Sequence, residues 1–197
     1  MDFSLDHRDP LKSTYTSTND NVPLYKVNKH SGDIEVHKLV NGQHVLMAKI
    51  EQHIVHSDKV LLWGKEIGPI NTSGWTGSIQ FPGSDGSPYK WKKDGSDFKL
   101  HDKSKQEVAT FDHGHKAIFH SSHNRLPVLH IHSDGVQILD ETIAMFMYMV
   151  KKTQDDDRRK KQSTITNAAS ASATTNTAVT STSATTSCAP AASGPSC

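Results

Sequence analysis

Short apolar runs alternate with turn residues over most of this chain, and a single apolar helix follows them. Segments with strand character occur at Leu24–Asn28, Ile34–Val40, His44–Gln52, Val60–Trp63, Gly77–Phe81, Tyr89–Lys92, Phe98–His101, Glu107–Phe111, Lys116–His120 and Val128–His132. Asn41-Gly42 is the clearest hairpin signal, because both residues tolerate positive φ. A spacing of about 8–12 residues between turns favours an antiparallel meander in sandwich or barrel form.

The stretch from residue 139 to residue 150 predicts a helix that is apolar on nearly every side. Its predicted core contacts are Leu139, Ile143, Phe146, Met147 and Val150, and methionines extend the apolar surface around the helix. A surface helix keeps one polar face, and none is available here before Lys151. We therefore expect a layer of strands wrapped around one C-terminal helix, with Asp140 as its N-cap.

Composition divides the chain into three parts. Residues 1–21 are polar and predict a flexible lead-in, whereas residues 22–161 carry the strand and helix signals. Residues 162–197 consist mainly of Ser, Thr and Ala, which cannot bury enough surface to offset chain entropy, so this tail is predicted to be disordered.

Charge and cysteine content narrow the functional class. The 22 Lys and Arg nearly balance the 21 Asp and Glu, so no basic field suggests nucleic-acid binding. The longest apolar run is well short of the roughly 20 residues that span a bilayer, and no secretory signal is apparent at the amino terminus. Both cysteines lie in the tail. These features predict a cytoplasmic protein, either free or peripheral at membrane surfaces.

Four short segments resemble the tubby C-terminal-like superfamily, of the scramblase and LURP-one-related type, and in particular an uncharacterised fungal family of such domains. They are Ala48–Glu51, Ser87–Trp91, Val108–Phe111 and Leu139–Ile143, in the expected order. The resemblance implies a mainly β fold, namely a closed antiparallel barrel of about 10–12 strands around one central C-terminal apolar helix. It implies no cofactor and no catalytic residue, because these segments are packing and turn elements.

The 13 histidines of the chain are the candidate ligands for a metal ion. His130 and His132 alternate on one strand and share a face, and His113 and His115 flank Gly114. A structural zinc site usually has four ligands, often including cysteine, and the predicted domain has no cysteine. We therefore expect solvent-facing histidines and no metal, with these four as the candidates.

Catalytic signatures do not appear in the sequence. There is no Gly-x-Ser-x-Gly elbow, no phosphate-binding Gly-rich loop and no nucleophile paired with a base, so we expect no enzyme. Cys188 and Cys197 are candidates for reversible acylation, since Lys151, Lys152 and Arg158–Lys161 offer the basic charge that often accompanies a lipid anchor.

Two functional hypotheses remain open. The first is a non-enzymatic binding or adaptor module that contacts anionic lipid or a protein partner, peripheral at membrane surfaces. The second is a protein-interaction scaffold without lipid affinity, whose Ser/Thr-rich tail is phosphorylated. A histidine-based metal-binding protein is a remote third.

Overall fold

The computed structural model describes residues 1–30, 32–51, 58–73, 77–114 and 125–174, with side chains described through residue 164. The chain divides into two units, Met1–Asp156 and Asp157–Cys197. The first unit holds the sheet and the apolar turns of the helix. In the second, the described residues are all helical.

Thirteen strands within the described residues form one antiparallel sheet. They are β1 (Asp2–Leu5), β2 (Thr14–Ser17), β3 (Pro23–His30), β4 (Asp33–Val40), β5 (Gln43–Glu51), β6 (Lys59–Leu62), β7 (Lys65–Glu66), β8 (Asn71–Ser73), β9 (Ser78–Pro82), β10 (Pro88–Asp94), β11 (Asp97–His101), β12 (Glu107–Asp112) and β13 (Val128–Ile131). Among the same residues, 3₁₀ segments cover Pro10–Lys12 and Ser133–Ile138, and α1 covers Leu139–Thr174.

The sheet is open, so the predicted closed barrel of 10–12 strands is wrong. Its spatial order is β7-β6-β5-β4-β3-β2-β1-β13-β12-β11-β10-β9-β8, two meanders joined where β1 pairs with β13. The two edge strands, β7 and β8, are consecutive in the chain and are separated only by Ile67–Ile70. Pro69 has no N–H and Gly68 is a weak strand former, so this connection does not continue the ladder. Both edge strands are also very short, which limits the hydrogen bonds they could exchange.

The apolar turns of α1 pack against strands of the sheet and form part of its core. Ile143, Phe146, Met147 and Val150 are buried, and Leu139 is half-buried at the edge of the same cluster. The Phe146 ring lies 5.3 Å from Trp91 on β10, 5.9 Å from Phe98 on β11 and 4.7 Å from Phe111 on β12, between ring centroids. On the other side, the Tyr15 hydroxyl of β2 donates to the Met147 Sδ at 3.8 Å. Strands from both meanders therefore pack on one helix.

The prediction of a flexible lead-in is wrong for most of residues 1–21. Phe3 and Leu5 on β1 and Tyr15 on β2 are completely or almost completely buried. Phe3 pairs with Leu129 of β13, which ties the start of the chain to the last strand of the sheet. Asp2 and Ser4 on β1 and Thr14 and Thr16 on β2 alternate with buried residues and are more exposed, as in an ordinary strand with one buried face.

The predicted tail also begins too early. Helix α1 continues to Thr174, although the tail was predicted to be disordered from residue 162. Helix propensity favours this extension, because Ala, Lys, Arg and Gln are frequent between residues 151 and 174. Residues 175–197, including Cys188 and Cys197, lie outside the described part of the chain.

Candidate functional site

The first turn of α1 is tied to three separate elements through one carboxylate. Asp140 accepts hydrogen bonds from the Tyr25 hydroxyl at 2.8 Å, from the Lys38 Nζ at 2.7 and 3.0 Å, and from the Trp63 Nε1 at 3.1 Å. These four bonds match the acceptor capacity of a carboxylate. Burial, and then the charge of Asp140, raise the pKa of Tyr25 well above its ordinary value, so the phenol stays a donor.

Asp140 is therefore not the N-cap that the sequence predicts. The helix begins at Leu139, directly after the 3₁₀ segment Ser133–Ile138, so Asp140 already has a helical position. Its side chain bonds to the surrounding sheet instead of to the helix backbone. It still lies where the helix dipole favours a negative charge.

Trp63 is held in an unusual conformation beside this carboxylate. Its φ is +49°, a left-handed value that is uncommon for a bulky residue. The backbone N–H donates to the Met47 carbonyl at 2.7 Å, and the indole donates to Asp140. Nevertheless the side chain remains 46% exposed. The contacts fix an aromatic side chain in place and leave much of it open to solvent.

A groove of about 460 Å³ lies along the open side of the sheet and next to Trp63. We call it the seam groove. Its lining comes from both ends of the sheet and from the helix: Leu62, Trp63, Lys65, Glu66, Ile67, Gly68, Pro82, Gly83, Ser84 and Glu141. Mostly apolar walls with a few polar groups are typical of a ligand site.

Glu141 supplies the most buried charge in the seam groove. The residue is only 9% exposed, and its Oε1 accepts the Ser84 N–H at 3.2 Å. Among the described residues, no lysine, arginine or histidine forms an ion pair with this carboxylate. Its neighbour Asp140, in contrast, has Lys38 as a counter-charge.

The tip of the β4–β5 hairpin exposes aliphatic side chains close to Trp63. Val40, Val45 and Leu46 are between 37% and 46% exposed. Val45 pairs with Lys38 and Leu46 pairs with His37, which places the two side chains on opposite faces of the hairpin. Trp63 is adjacent, since its backbone N–H bonds to Met47, the next residue after Leu46. Val40, Val45, Leu46 and Trp63 together are called the apolar patch.

The predicted metal candidates lie on a different part of the molecule. His130 Nδ1 is 3.1 Å from an Asp2 oxygen, and His132 Nε2 is 3.6 Å from Glu107. His113 follows β12 and stacks edge-on against Phe111, at 6.1 Å between ring centroids. His115 is outside the described residues. Where side chains are described, no three His, Cys, Asp or Glu residues come together in a metal-binding group.

Sequence reasoning missed Trp63, Asp140 and Glu141 as a functional group. Trp63 and Asp140 are separated by 77 positions, and only the fold brings them together. One local signal was present, namely Trp63-Gly64 at the end of an apolar strand, which is typical of a turn that presents an aromatic side chain.

Comparison with known proteins places the chain in a family but gives no activity. None of the described helices has the length and hydropathy needed to cross a membrane. Neither the curated proteins nor the solved structures include a match to this sequence. The resemblance to tubby-like domains therefore stays a prediction. A family model described as a family of unknown function, DUF6593, matches residues 8–155, which is most of the chain, and the protein therefore belongs to that family.

Proposed function

We propose that this domain is a non-enzymatic binding module that docks peripherally on membrane surfaces, with the apolar patch as its contact surface. The observation that carries the proposal is the hairpin tip, which exposes Val45 on one face and Leu46 on the other. A hairpin that packed only on its own core would present apolar side chains to one face. Side chains on both faces suit insertion of the tip into an apolar medium.

The composition of the patch supports a lipid interface. Tryptophan is enriched where one part of a side chain meets hydrocarbon and another meets water. Lys26 is exposed in the same cross-strand row as His37 and Leu46, and Lys65 is exposed two residues after Trp63. A lysine near an anionic membrane contributes about 1 kcal/mol.

The expected affinity is low. Complete burial of a Val or Leu side chain is worth about 1.5–3 kcal/mol, so three partly exposed aliphatic side chains contribute about 2–4 kcal/mol together. This is less than a single myristoyl chain provides, and stable anchoring usually takes two signals. Acylation of Cys188 or Cys197, which lie outside the described residues, would supply the second signal.

Co-sedimentation with vesicles of phosphatidylcholine and phosphatidylserine tests the proposal. We expect the Val45→Ser, Leu46→Ser double variant to bind about tenfold more weakly than the wild type. Leu126→Ser is the matched control, because Leu126 is 46% exposed and precedes β13, away from the patch. Added salt should weaken the lysine contribution and leave the aliphatic one. Equal sedimentation of all three proteins would overturn the proposal, as would an equal loss in the Leu126 variant; absence of wild-type binding would favour a protein partner instead.

A further inference from the structure

We infer that the seam groove binds the ammonium group of a zwitterionic phospholipid headgroup, such as choline, between Trp63 and Glu141. This inference rests on the proposed membrane docking, because the groove and the apolar patch share Trp63. A lipid whose tails meet the patch would place its headgroup beside the groove.

The charge of the groove calls for a cation. Of the described residues that line it, three are ionisable, namely Lys65, Glu66 and Glu141, and together they carry a net charge of −1. Lys65 and Glu66 are exposed at the rim, whereas Glu141 is nearly buried. No described residue provides Glu141 with a counter-ion, and a buried carboxylate in that state is costly; the Ser84 N–H and the helix N-terminus offset part of the cost. A bound cation would give Glu141 the counter-charge that Lys38 gives Asp140.

The aromatic wall favours an alkylammonium over a metal ion. Tryptophan is the best side chain for cation–π contact, and such contacts recognise quaternary ammonium groups. Trp63 is suited to this role because the Asp140 and Met47 bonds fix its ring before any ligand arrives. Leu62 and Ile67 offer apolar surface to the methyl groups of choline. The headgroup phosphate would lie towards Lys65 at the rim.

Phosphocholine and its tert-butyl isostere, in which carbon replaces nitrogen, form a matched pair of soluble probes. They have the same shape and differ in the positive charge. Each is titrated into the full-length protein, and the indole N–H signal of Trp63 is followed by NMR after assignment with Trp63→Phe. We expect phosphocholine to shift this signal with a dissociation constant about tenfold lower than that of the isostere.

Two variants locate the effect. Glu141→Gln keeps an acceptor for the Ser84 N–H and should weaken phosphocholine binding about tenfold, while binding of the isostere stays constant. Glu66→Gln removes an exposed charge from the same groove and should change phosphocholine binding about twofold or less. An unchanged amide spectrum confirms that each variant is folded.

The outcomes separate this inference from the proposed function. Equal binding of the two probes, or of neither, overturns the ammonium site even if vesicle binding depends on Val45 and Leu46. Selective, Glu141-dependent phosphocholine binding supports the site only if excess phosphocholine also reduces vesicle co-sedimentation. If phosphocholine does not compete with the vesicles, the ligand of the seam groove is an ammonium compound other than a phospholipid headgroup, and the inference is wrong.

Discussion

Replacement of Phe146 by Ala tests how the sheet and the helix stabilise each other. Phe146 is fully buried and touches aromatic rings from three consecutive strands, with the nearest centroid, that of Phe111, at 4.7 Å. Phe→Ala changes in cores cost about 3–5 kcal/mol, through lost burial and through the cavity left behind. The neighbours belong to β10, β11 and β12, which are fixed by their own ladders and cannot collapse onto the helix. We therefore expect a loss of about 4 kcal/mol.

Urea unfolding followed by tryptophan fluorescence measures this loss, since Trp91 lies against the Phe146 ring. With a slope of about 2 kcal/mol per molar urea, the midpoint should fall by about 2 M. Phe146→Leu keeps most of the volume and should cost less than about 1.5 kcal/mol. Val136→Ala, at a site 49% exposed, should change stability by less than about 0.5 kcal/mol.

The charged variant is a harsher form of the same test. A single domain is stable by about 5–15 kcal/mol, and an unpaired carboxylate at the position of Phe146 would consume most of that. Phe146→Asp should therefore be unfolded or insoluble. A folded Phe146→Asp protein, or a loss below about 1 kcal/mol for Phe146→Ala, would refute the packing of the helix against β10, β11 and β12.

Two further predictions concern groups whose chemistry the fold controls. Asp140→Asn leaves Lys38 without its counter-charge and should lower the free energy of unfolding by about 1–3 kcal/mol. The NMR signal of the Trp63 indole N–H, which donates to Asp140, should also move. An unchanged signal would show that the bond to Asp140 does not position the ring. All four tyrosines have a pKa raised above the ordinary 10.0 by burial first, with that of Tyr89 raised to about 12. The phenols of the unfolded chain ionise first, so the stability that the buried, protonated tyrosines give the fold is complete below pH 10 and is lost as the pH rises towards 12 and beyond. Tyrosinate absorbance should therefore appear together with unfolding. Ionisation well before unfolding would contradict the raised pKa values.

The local parts of the fold could be predicted from the sequence. Asn41-Gly42 joins β4 to β5 with φ values of +50° and +78°, and Val40 pairs with Gln43 across it, as the tight-hairpin signal predicts. Phe3 and Leu5 also alternate with polar residues, so the pattern of β1 was visible. The run is too short to distinguish a strand from a flexible end, and its partner β13 begins more than a hundred residues later.

Closure of the sheet could not be predicted in the same way. Whether a meander becomes a barrel depends on hydrogen bonds between its first and last spatial strands, and hydrophobic alternation carries no information about that pairing. Here the edges are β7 and β8, whose two and three residues give little sign of a strand. The open edge matters for function, because the seam groove lies along it.

The helix begins with an acidic first turn, and an entirely buried, apolar stretch follows it. From Ile143 to Val150 every side chain is buried, so this stretch provides packing and stability. Asp140 and Glu141 precede it, and both carboxylates benefit from the helix N-terminus. Asp140 accepts hydrogen bonds from a lysine, a phenol and an indole, whereas within the described part of the chain Glu141 accepts one from the Ser84 backbone N–H. If Glu141 served folding alone, Glu141→Gln would lower the free energy of unfolding and leave the binding of phosphocholine unchanged. A role in binding requires that Glu141→Gln weakens the binding of phosphocholine, although loss of the buried charge does not lower the stability of the free domain.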